Sequence, residues 1–327
     1  MKPILCNYYL TYRCNARCSF CDIWRKPQYY HAEDAKFETV IKHLNELKFI
    51  GIRFIDFTGG EPLLYKNLPK VLKRARELKL LTSVTTNCLL YPNRAEQIKG
   101  LVSFLHFSLD SMNAIQHDTL RGIPVFDRVM ESIELALLLG EKPDLLFTVT
   151  EENFESCKAL ARFAQKQRLM LIVNPVFLHY SKHRLSLEIL NYLDHYKNEP
   201  YMYINRAFHR FRRFGGNQIH KPRCRAVSST IVISPNNEML LPCFHFAVEK
   251  VKIKTDLSEI RKSKQFKELE KMQGRYPFCS GCVINCYFDP SYIFSFDQYT
   301  LLSLLSKTKY VLDKYIRAHI ENAFFKH

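Results

Sequence analysis

Short apolar runs, rich in β-branched and aromatic residues, recur along the first half of the chain, with helical patterns between them. The runs are 4–11, 52–57 ("IRFIDF"), 81–86 ("LTSVTT"), 104–109 ("FLHFSL"), 144–150 ("DLLFTVT") and 169–174 ("LMLIVN"). Their length and polar borders predict strands. Residues 33–49 place Phe37, Val40, Ile41, Leu44 and Leu47 at helical spacing, and 66–79, 92–99, 125–139 and 154–167 read similarly. Six β–α units in succession predict an α/β fold with a parallel sheet and helices outside. Six rather than eight implies an open, partial (β/α)6 TIM-like barrel. Such folds carry their chemistry at the C-terminal ends of the strands.

The rhythm changes after 175. A helical stretch spans 186–213, "SSTIVISPNNEMLLPC" reads as a hairpin about its Asn-Asn turn, and a charged helix follows at 257–272. The expected organisation is a barrel over 1–215, a small cysteine-rich α+β domain over 216–290, and a C-terminal amphipathic helix within 291–327. Leu301, Leu305, Leu312, Tyr315, Ile316, His319, Ile320 and Ala323 form one apolar stripe along that tail. The stripe is expected to pack on its own domain. A basic amphipathic helix lying on a membrane surface is the alternative.

Composition sharpens this picture. The 327 residues are 47% hydrophobic and 24% charged, a globular balance. No run of eighteen apolar residues exists, so no transmembrane helix is expected. The opening "MKPILCNYYLTYRC" lacks a continuous apolar core and a cleavage site, which points away from a signal peptide and toward the cytoplasm, where thiols stay reduced. The net charge is +16. It concentrates at 205–225, where seven Arg or Lys meet no acid. Such a stretch is a solvated face, or it attracts an anionic substrate, a nucleic acid, an anionic membrane or an acidic electron donor such as flavodoxin.

The eleven cysteines are not evenly spread. Cys6, Cys88 and Cys157 are scattered and read as small buried hydrophobes. Cys14, Cys18 and Cys21 form C-x3-C-x2-C directly after the first strand. Three is one short of a structural zinc site. Thiolates also suit iron–sulfur clusters. On a cubane of four irons, three thiolates leave one iron free to bind a small molecule.

That spacing, with Phe20 as the aromatic before the last cysteine, resembles the radical S-adenosylmethionine (SAM) superfamily. "DFTGGEPLL" agrees: Gly59, Gly60, Glu61 and Pro62 follow the second strand as that family's "GGEP" does. The resemblance covers roughly residues 1 to 180. It implies a 4Fe–4S cluster on Cys14, Cys18 and Cys21 whose open iron chelates SAM through its amino and carboxylate groups. Reductive cleavage then yields a 5′-deoxyadenosyl radical that abstracts hydrogen from substrate. The donor is a reduced flavodoxin or ferredoxin. The resemblance further implies SAM contacts at Asn87 in "TTNC", where Cys88 replaces the family's glycine, at Ser108 and Asp110 in "FSLDS", at Arg121 near the methionine carboxylate, and at Asn174 near the adenine. Glu61 and neighbouring carbonyls would hold the ammonium group. The plainer reading of Asp110 and Ser111 is a helix cap.

Cys224, Cys243, Cys279, Cys282 and Cys286 form a second group. A cysteine before a hairpin, a Pro-Cys ending it, then C-x2-C-x3-C is similar to SPASM or twitch domains, which carry auxiliary iron–sulfur clusters. One auxiliary 4Fe–4S cluster is expected, on Cys243, Cys279, Cys282 and Cys286, or with Cys224 replacing one of the last two. A structural zinc site is the alternative.

No catalytic side chain is assigned; His179, Tyr180 and His245 are isolated candidates. The aromatic stretches "FHFAV" and "YFDPSYIFSF" either pack the core or line a large apolar pocket. On the pocket reading the substrate is a hydrophobic small molecule: a tetrapyrrole such as a bacteriochlorophyll precursor, or a lipid. A peptide-modifying enzyme is the alternative, weakened because the first strand begins at residue 4. A basic zinc-binding nucleic-acid module is the competing class, and nucleic acid is disfavoured by "GGEP" and the six units.

Overall fold

A computed structural model describes residues 2–30, 32–177 and 185–317. Ten strands make one sheet: β1 (Leu5–Thr11), β2 (Phe54–Gly59), β3 (Leu81–Thr86), β4 (Phe104–Ser108), β5 (Asp144–Val149), β6 (Leu171–Pro175), β7 (Met202–Tyr203), β8 (Thr230–Ser234), β9 (Glu238–Leu241) and β10 (Glu249–Lys252). Their order is β10-β9-β8-β1-β2-β3-β4-β5-β6-β7. From β1 to β7 every pairing is parallel, which matches the partial barrel.

The outer layer begins with α1 (Pro27–Tyr30), α2 (Phe37–Phe49), α3 (Leu68–Glu77), α4 (Tyr91–Ile98), α5 (Ala114–Arg121), α6 (Phe126–Leu138) and α7 (Cys157–Gln167). Strand alternation sorts the side chains. Ile55 and Phe57 face the helices, and join Leu44, Leu47, Val84, Phe107 and Phe147 in a fully buried core. Cys6, Cys88 and Cys157 belong to the same core, as scattered cysteines should.

The opposite face of the strands is polar. Asn7, Asp56 and Ser83 are direct neighbours across β1, β2 and β3, and Thr85, His106 and Asp144 across β3, β4 and β5. Ser83 donates to Asp56 at 2.6 Å, and Thr85 Oγ1 lies 3.2 Å from His106 Nδ1. Burial pushes the Asp56 carboxyl up to about 6, with Ser83 opposing.

The second half differs from expectation in three places. The stretch 186–213 is two helices, α8 (Leu187–Asp194) and α9 (Arg206–Arg213), separated by β7. After α10 (Ala226–Ser229) the hairpin β8–β9 forms as expected, but β8 also pairs in parallel with β1, and β10 adds a further antiparallel strand. One sheet therefore runs across residue 216. Beyond α11 (Leu257–Lys262), α12 (Lys264–Met272) and α13 (Asn285–Tyr292) comes α14 (Gln298–Val311), continued by a π-helical turn Leu312–Arg317.

The expected packing of the tail is reversed. Leu301, Leu305, Leu312, Tyr315 and Ile316 are exposed, while Tyr299, Ser303, Ser306 and Asp313 are buried. His319, Ile320 and Ala323 lie outside the described residues. The inward face is held by polar contacts: Ser306 accepts from the Arg206 amide at 3.1 Å, and Lys314 and Tyr310 each meet Asp144 at 2.6 Å.

The basic stretch 205–225 is largely occupied. Arg213 pairs with Asp194 at 2.8 Å, and Arg212 donates to the carbonyls of Pro175 and Val176. Arg223 pairs with Asp297, and Arg210 covers Phe214.

Candidate active site and cysteine centres

Cys14, Cys18 and Cys21 sit on a loop at the C-terminal end of β1, pinned from two sides. The amides of Arg17 and Ser19 donate to the Arg121 and Leu120 carbonyls at 3.0 and 2.9 Å, fixing the loop to the end of α5. On the other side, the amides of Gly60 and Glu61 donate to Thr11 and Arg13 at 3.0 and 2.9 Å. The glycines follow from that approach. A Cβ on Gly59 would stand 1.9 Å from the Thr11 carbonyl oxygen, and one on Gly60 2.1 Å from that of Arg13. Gly59 also takes φ +148, which side chains rarely adopt.

Glu61 is bound from within the protein. Its carboxylate accepts from the Leu63 amide at 3.0 Å and the Asn87 amide at 2.9 Å. Burial pushes its pKa up, and these two amides oppose the rise. Glu61 thereby ties the end of β2 to the end of β3. Asn87 continues the brace, donating to Asn15 in the cysteine loop at 2.7 Å. Cys88 adopts the left-handed φ of +69 where the family pattern has glycine.

Asp110 and Arg121 form an ion pair at 2.7 Å, with side chains 0% and 7% exposed. Asp110 also accepts from the Thr148 amide at 2.9 Å. It does not cap the following helix; Asn113 does, accepting from the Gln116 amide. Arg121 Nη1 lies 3.8 Å from Cys18 Sγ, and the guanidinium stands 5.3 Å from the Phe20 ring. Burial works against the Arg121 charge, but Asp110 and Cys18 more than offset it, so its pKa rises. Arg121 Nη2 is buried with no hydrogen-bond partner among the described residues. Ser108 is buried at the end of β4.

The donor set fits a cluster with one open position. Burial raises the Cys14 thiol to about 12 and Cys21 to about 11, and it raises Cys18 against the opposing Arg121 charge. Such thiols are deprotonated when they coordinate a metal cation, their protons passing to solvent. The Ala16 amide donates to Cys14 Sγ at 3.4 Å, and the orphaned Arg121 donor suits a carboxylate beside the thiols. Among the described residues, no three or more His, Cys, Asp or Glu side chains are drawn together around a single-ion site.

The second group is also assembled. Cys224, Cys243, Cys279 and Cys282 line one cavity with Pro242, Phe278 and Tyr287. Cys286, on α13, is absent from that lining, although it is near enough to Cys243 and Asp56 for their charges to raise its pKa after burial. The organiser is a residue the sequence reading missed. Asn217, 2% exposed, donates to the Gly274 and Cys279 carbonyls at 2.8 and 3.1 Å and accepts from the Arg223 amide at 3.0 Å. Its own amide donates to Cys282. Nothing in "GGNQIHKPRC" distinguishes such an asparagine from a turn residue.

The second group is tied to the barrel and to itself through side chains. Asn285, beside Cys286, donates to Asn174 at the end of β6. The Tyr287 hydroxyl accepts from the Phe244 amide at 2.8 Å. His245 lies among the rings of Phe177, Phe244 and Tyr287, while His179 and Tyr180 lie outside the described residues.

A partial parallel barrel with three thiols on its first loop and a Gly-Gly-Glu-Pro turn on its second defines a class: barrels that hold a SAM-binding 4Fe–4S cluster. Residues 8–164 match the model of the radical SAM superfamily, so the chain carries a radical SAM domain. It is similar to GTP 3',8-cyclase of Clostridium botulinum strain Hall, at 29% identity over 147 residues, 43% of this chain and 45% of that protein. It is also similar to Fe-coproporphyrin III synthase of Methanosarcina barkeri, at 27% over 177 residues, 51% of this chain and 42% of that protein. The chain thus spans less than half the length of these curated relatives. Among solved structures, Streptococcus suis SuiB bound to S-adenosylmethionine superposes with TM-score 0.68 at 19% identity, covering 91% of this chain and 75% of that one. The enzyme anSMEcpe with bound AdoMet gives 0.66 at 15%, covering 97% and 95%. These likenesses establish the fold, including its cysteine-rich end. The family match sets aside the zinc-binding nucleic-acid module. No helix among the described residues is long and apolar enough to cross a membrane.

Proposed function

We propose that the protein is a radical SAM enzyme that functionalises a C–H bond of a small organic molecule, assisted by one auxiliary 4Fe–4S cluster. The observation that carries this reading is the convergence of Cys14, Cys18 and Cys21 with the Asp110–Arg121 pair at the strand ends. A 4Fe–4S cluster on these thiols, when bound, supplies the electron that cleaves SAM to methionine and a 5′-deoxyadenosyl radical. Around it the chain's own residues orient and exclude water. Arg121, held by Asp110, offers Nη2 to a carboxylate. The Gly60–Thr11, Glu61–Arg13 and Glu61–Asn87 braces keep the thiol loop in place. The auxiliary cluster is assigned to Cys224, Cys243, Cys279 and Cys282, the four that share a cavity. A reduced flavodoxin or ferredoxin is the electron donor.

For the substrate, the polar rungs Asp56–Ser83 and Thr85–His106 on the inner face of the sheet, together with the buried ring cluster of Tyr9, Tyr12, Phe244 and Tyr287, support a ring with an apolar face and a polar edge. A tetrapyrrole fits that description, and one relative is named for a coproporphyrin. A second reading, peptide modification, has support from SuiB, whose structure was solved bound to its precursor peptide.

Anaerobic purification tests the reaction class. A brown protein with iron and sulfide for two clusters, forming 5′-deoxyadenosine from SAM and dithionite, is expected. Loss of that product on changing Cys14, Cys18 and Cys21 to Ala completes the test, and retained cleavage refutes it. Deuterium transfer into 5′-deoxyadenosine from labelled porphyrinogen or labelled peptide separates the substrate readings.

A further inference from the structure

One arginine holds the turn that follows β2. Arg94, in the first turn of α4, donates through Nη1 to the Leu63 carbonyl at 2.5 Å and to the Tyr65 carbonyl at 3.1 Å. Its Nη2 donates to the Lys66 carbonyl at 3.2 Å, and its Nε to Gln97 of the same helix at 3.3 Å. A guanidinium suits this task because its donors form a rigid planar fork, whereas an ammonium is a single point of charge. Bonds from a charged donor are also the stronger kind. The segment that carries Arg94 grips the turn at its other end too. The Asn87 amide donates to Glu61 at 2.9 Å, and the Asn87 side chain donates to Asn15 of the thiol loop at 2.7 Å. The chain from Asn87 to Arg94 therefore sets the turn and the thiol loop relative to each other.

The acceptors of this turn are almost all spent. The Glu61 and Pro62 carbonyls accept from the Leu64 and Tyr65 amides at 3.0 Å each, and the Leu64 carbonyl accepts from Arg13 at 3.4 Å. Both Glu61 carboxylate oxygens already accept an amide. Gly60 is the exception. Its amide donates to Thr11, but its carbonyl receives no hydrogen bond from the described residues. The residue is half-buried and stands against Arg13, next to Cys14.

We propose that Arg94 is a positioning residue for SAM, fixing the turn so that the Gly60 carbonyl is the acceptor that meets the SAM ammonium group. The proposal rests on the reading that Cys14, Cys18 and Cys21 hold the SAM-binding cluster. One amino group then has to satisfy both an iron beside the thiols and the Gly60 carbonyl. That demands a fixed offset between the two, and Asn87 and Arg94 supply it. Contacts one layer behind a metal's ligands orient them, and their removal typically weakens binding about ten- to a hundredfold.

The test uses the full chain, purified anaerobically with its clusters, and needs no substrate. SAM affinity is measured by equilibrium dialysis with labelled SAM, and by the change SAM makes in the electron paramagnetic resonance of the reduced first cluster. Arg94→Ala should weaken SAM binding about tenfold, with iron per chain and the SAM-free spectrum as in wild type. At saturating SAM its rate of 5′-deoxyadenosine formation should come within about twofold of wild type, the mark of lost binding with the chemistry intact. Arg94→Lys keeps the charge but not the fork, and should weaken binding by about threefold. Wild-type SAM affinity in Arg94→Ala, at whatever melting temperature, overturns the proposal. So does a fall in rate at saturating SAM with affinity unchanged, or loss of first-cluster iron in both variants. Should Arg94→Ala fail to fold, Arg94→Lys decides: weakened affinity with its iron intact supports the proposal, and wild-type affinity overturns it. Failure of the wild-type protein to bind SAM would overturn the assignment of the centre itself, and the proposal with it.

Discussion

Tyr9 and Phe244 stack with ring centroids 4.1 Å apart and planes 13° from parallel. Tyr9 is on β1, five residues before Cys14, and Phe244 follows Cys243, so one ring pair joins the two cysteine centres. Tyr12 extends the pile, 5.9 Å from Tyr9 and stacked on Tyr29 at 4.1 Å. Removing the ring with Tyr9→Ala leaves a cavity between the centres. A loss of roughly 3–5 kcal/mol in denaturant stability is expected, whereas Tyr9→Phe keeps the stack. Equal stability of the two variants would show that the stack contributes nothing.

Two of the three late cysteines outside the C-x2-C pair, Cys224 and Cys286, should behave differently. Cys224→Ser is expected to remove the auxiliary iron, because Cys224 lines the shared cavity. Cys286→Ser should retain it. Iron and sulfide per chain, with electron paramagnetic resonance of the reduced protein, read the difference. The opposite pattern would return Cys286 to the ligand set.

Asn217→Ala leaves the Gly274 and Cys279 carbonyls and the Arg223 amide without their partner. Each buried orphan costs about 1–3 kcal/mol. The auxiliary cluster should be lost on mild chelation, while SAM cleavage at the first centre persists. Wild-type retention of iron would reduce Asn217 to an ordinary turn residue.

Gly60→Ala places a methyl 2.1 Å from the Arg13 carbonyl oxygen, next to Cys14. Overpacking of this kind typically costs about 1–3 kcal/mol, here spent on moving the thiol loop. The first cluster's iron and 5′-deoxyadenosine formation should both fall at least tenfold, roughly 1.4 kcal/mol in effect. Full activity would mean the loop yields freely.

His43 gives the acid limb of stability. It is 2% exposed, 2.8 Å from the Tyr8 hydroxyl, and burial, with Lys42, lowers its pKa to about 4. The unfolded chain takes up its proton near pH 6.5 while the folded protein holds out until about pH 4. Its contribution is therefore complete above about 6.5 and falls away as pH drops toward 4, by roughly 3 kcal/mol at most. Thermal melts of His43→Gln should slope less steeply across that window than wild type. Parallel curves would sink the assignment.

The strands, the hairpin and the first three cysteines were legible because each has a local signature: a short apolar run, a turn, a fixed spacing. The orientation of Glu61 was not. Its motif marks the place, but only the fold reveals that both oxygens are taken by the Leu63 and Asn87 amides. The tail shows the same limit. A stripe with helical period exists in the sequence, yet which side packs is decided by partners far away, such as Asp289 for Ser303 and Asp144 for Lys314. Strand β10, reading "EKVK", has no apolar alternation to find, and β7 is two residues long. Asn217 is silent for a similar reason: its partners, such as Gly274, Cys279 and Cys282, lie far along the chain.

Because β8 is hydrogen-bonded to β1, with Tyr8 opposite Ile233, the hairpin that ends in Cys243 and the loop that opens at Cys14 are mounted on adjacent staves of one frame. Adjacent strands are about 4.8 Å apart, and neither can slide without breaking a ladder. No hinge lies between them on this path. The span from one cysteine set to the other is thus fixed at folding, like the gauge of a track, and chemistry that depends on that span is tuned by changing side chains, not by bending the protein.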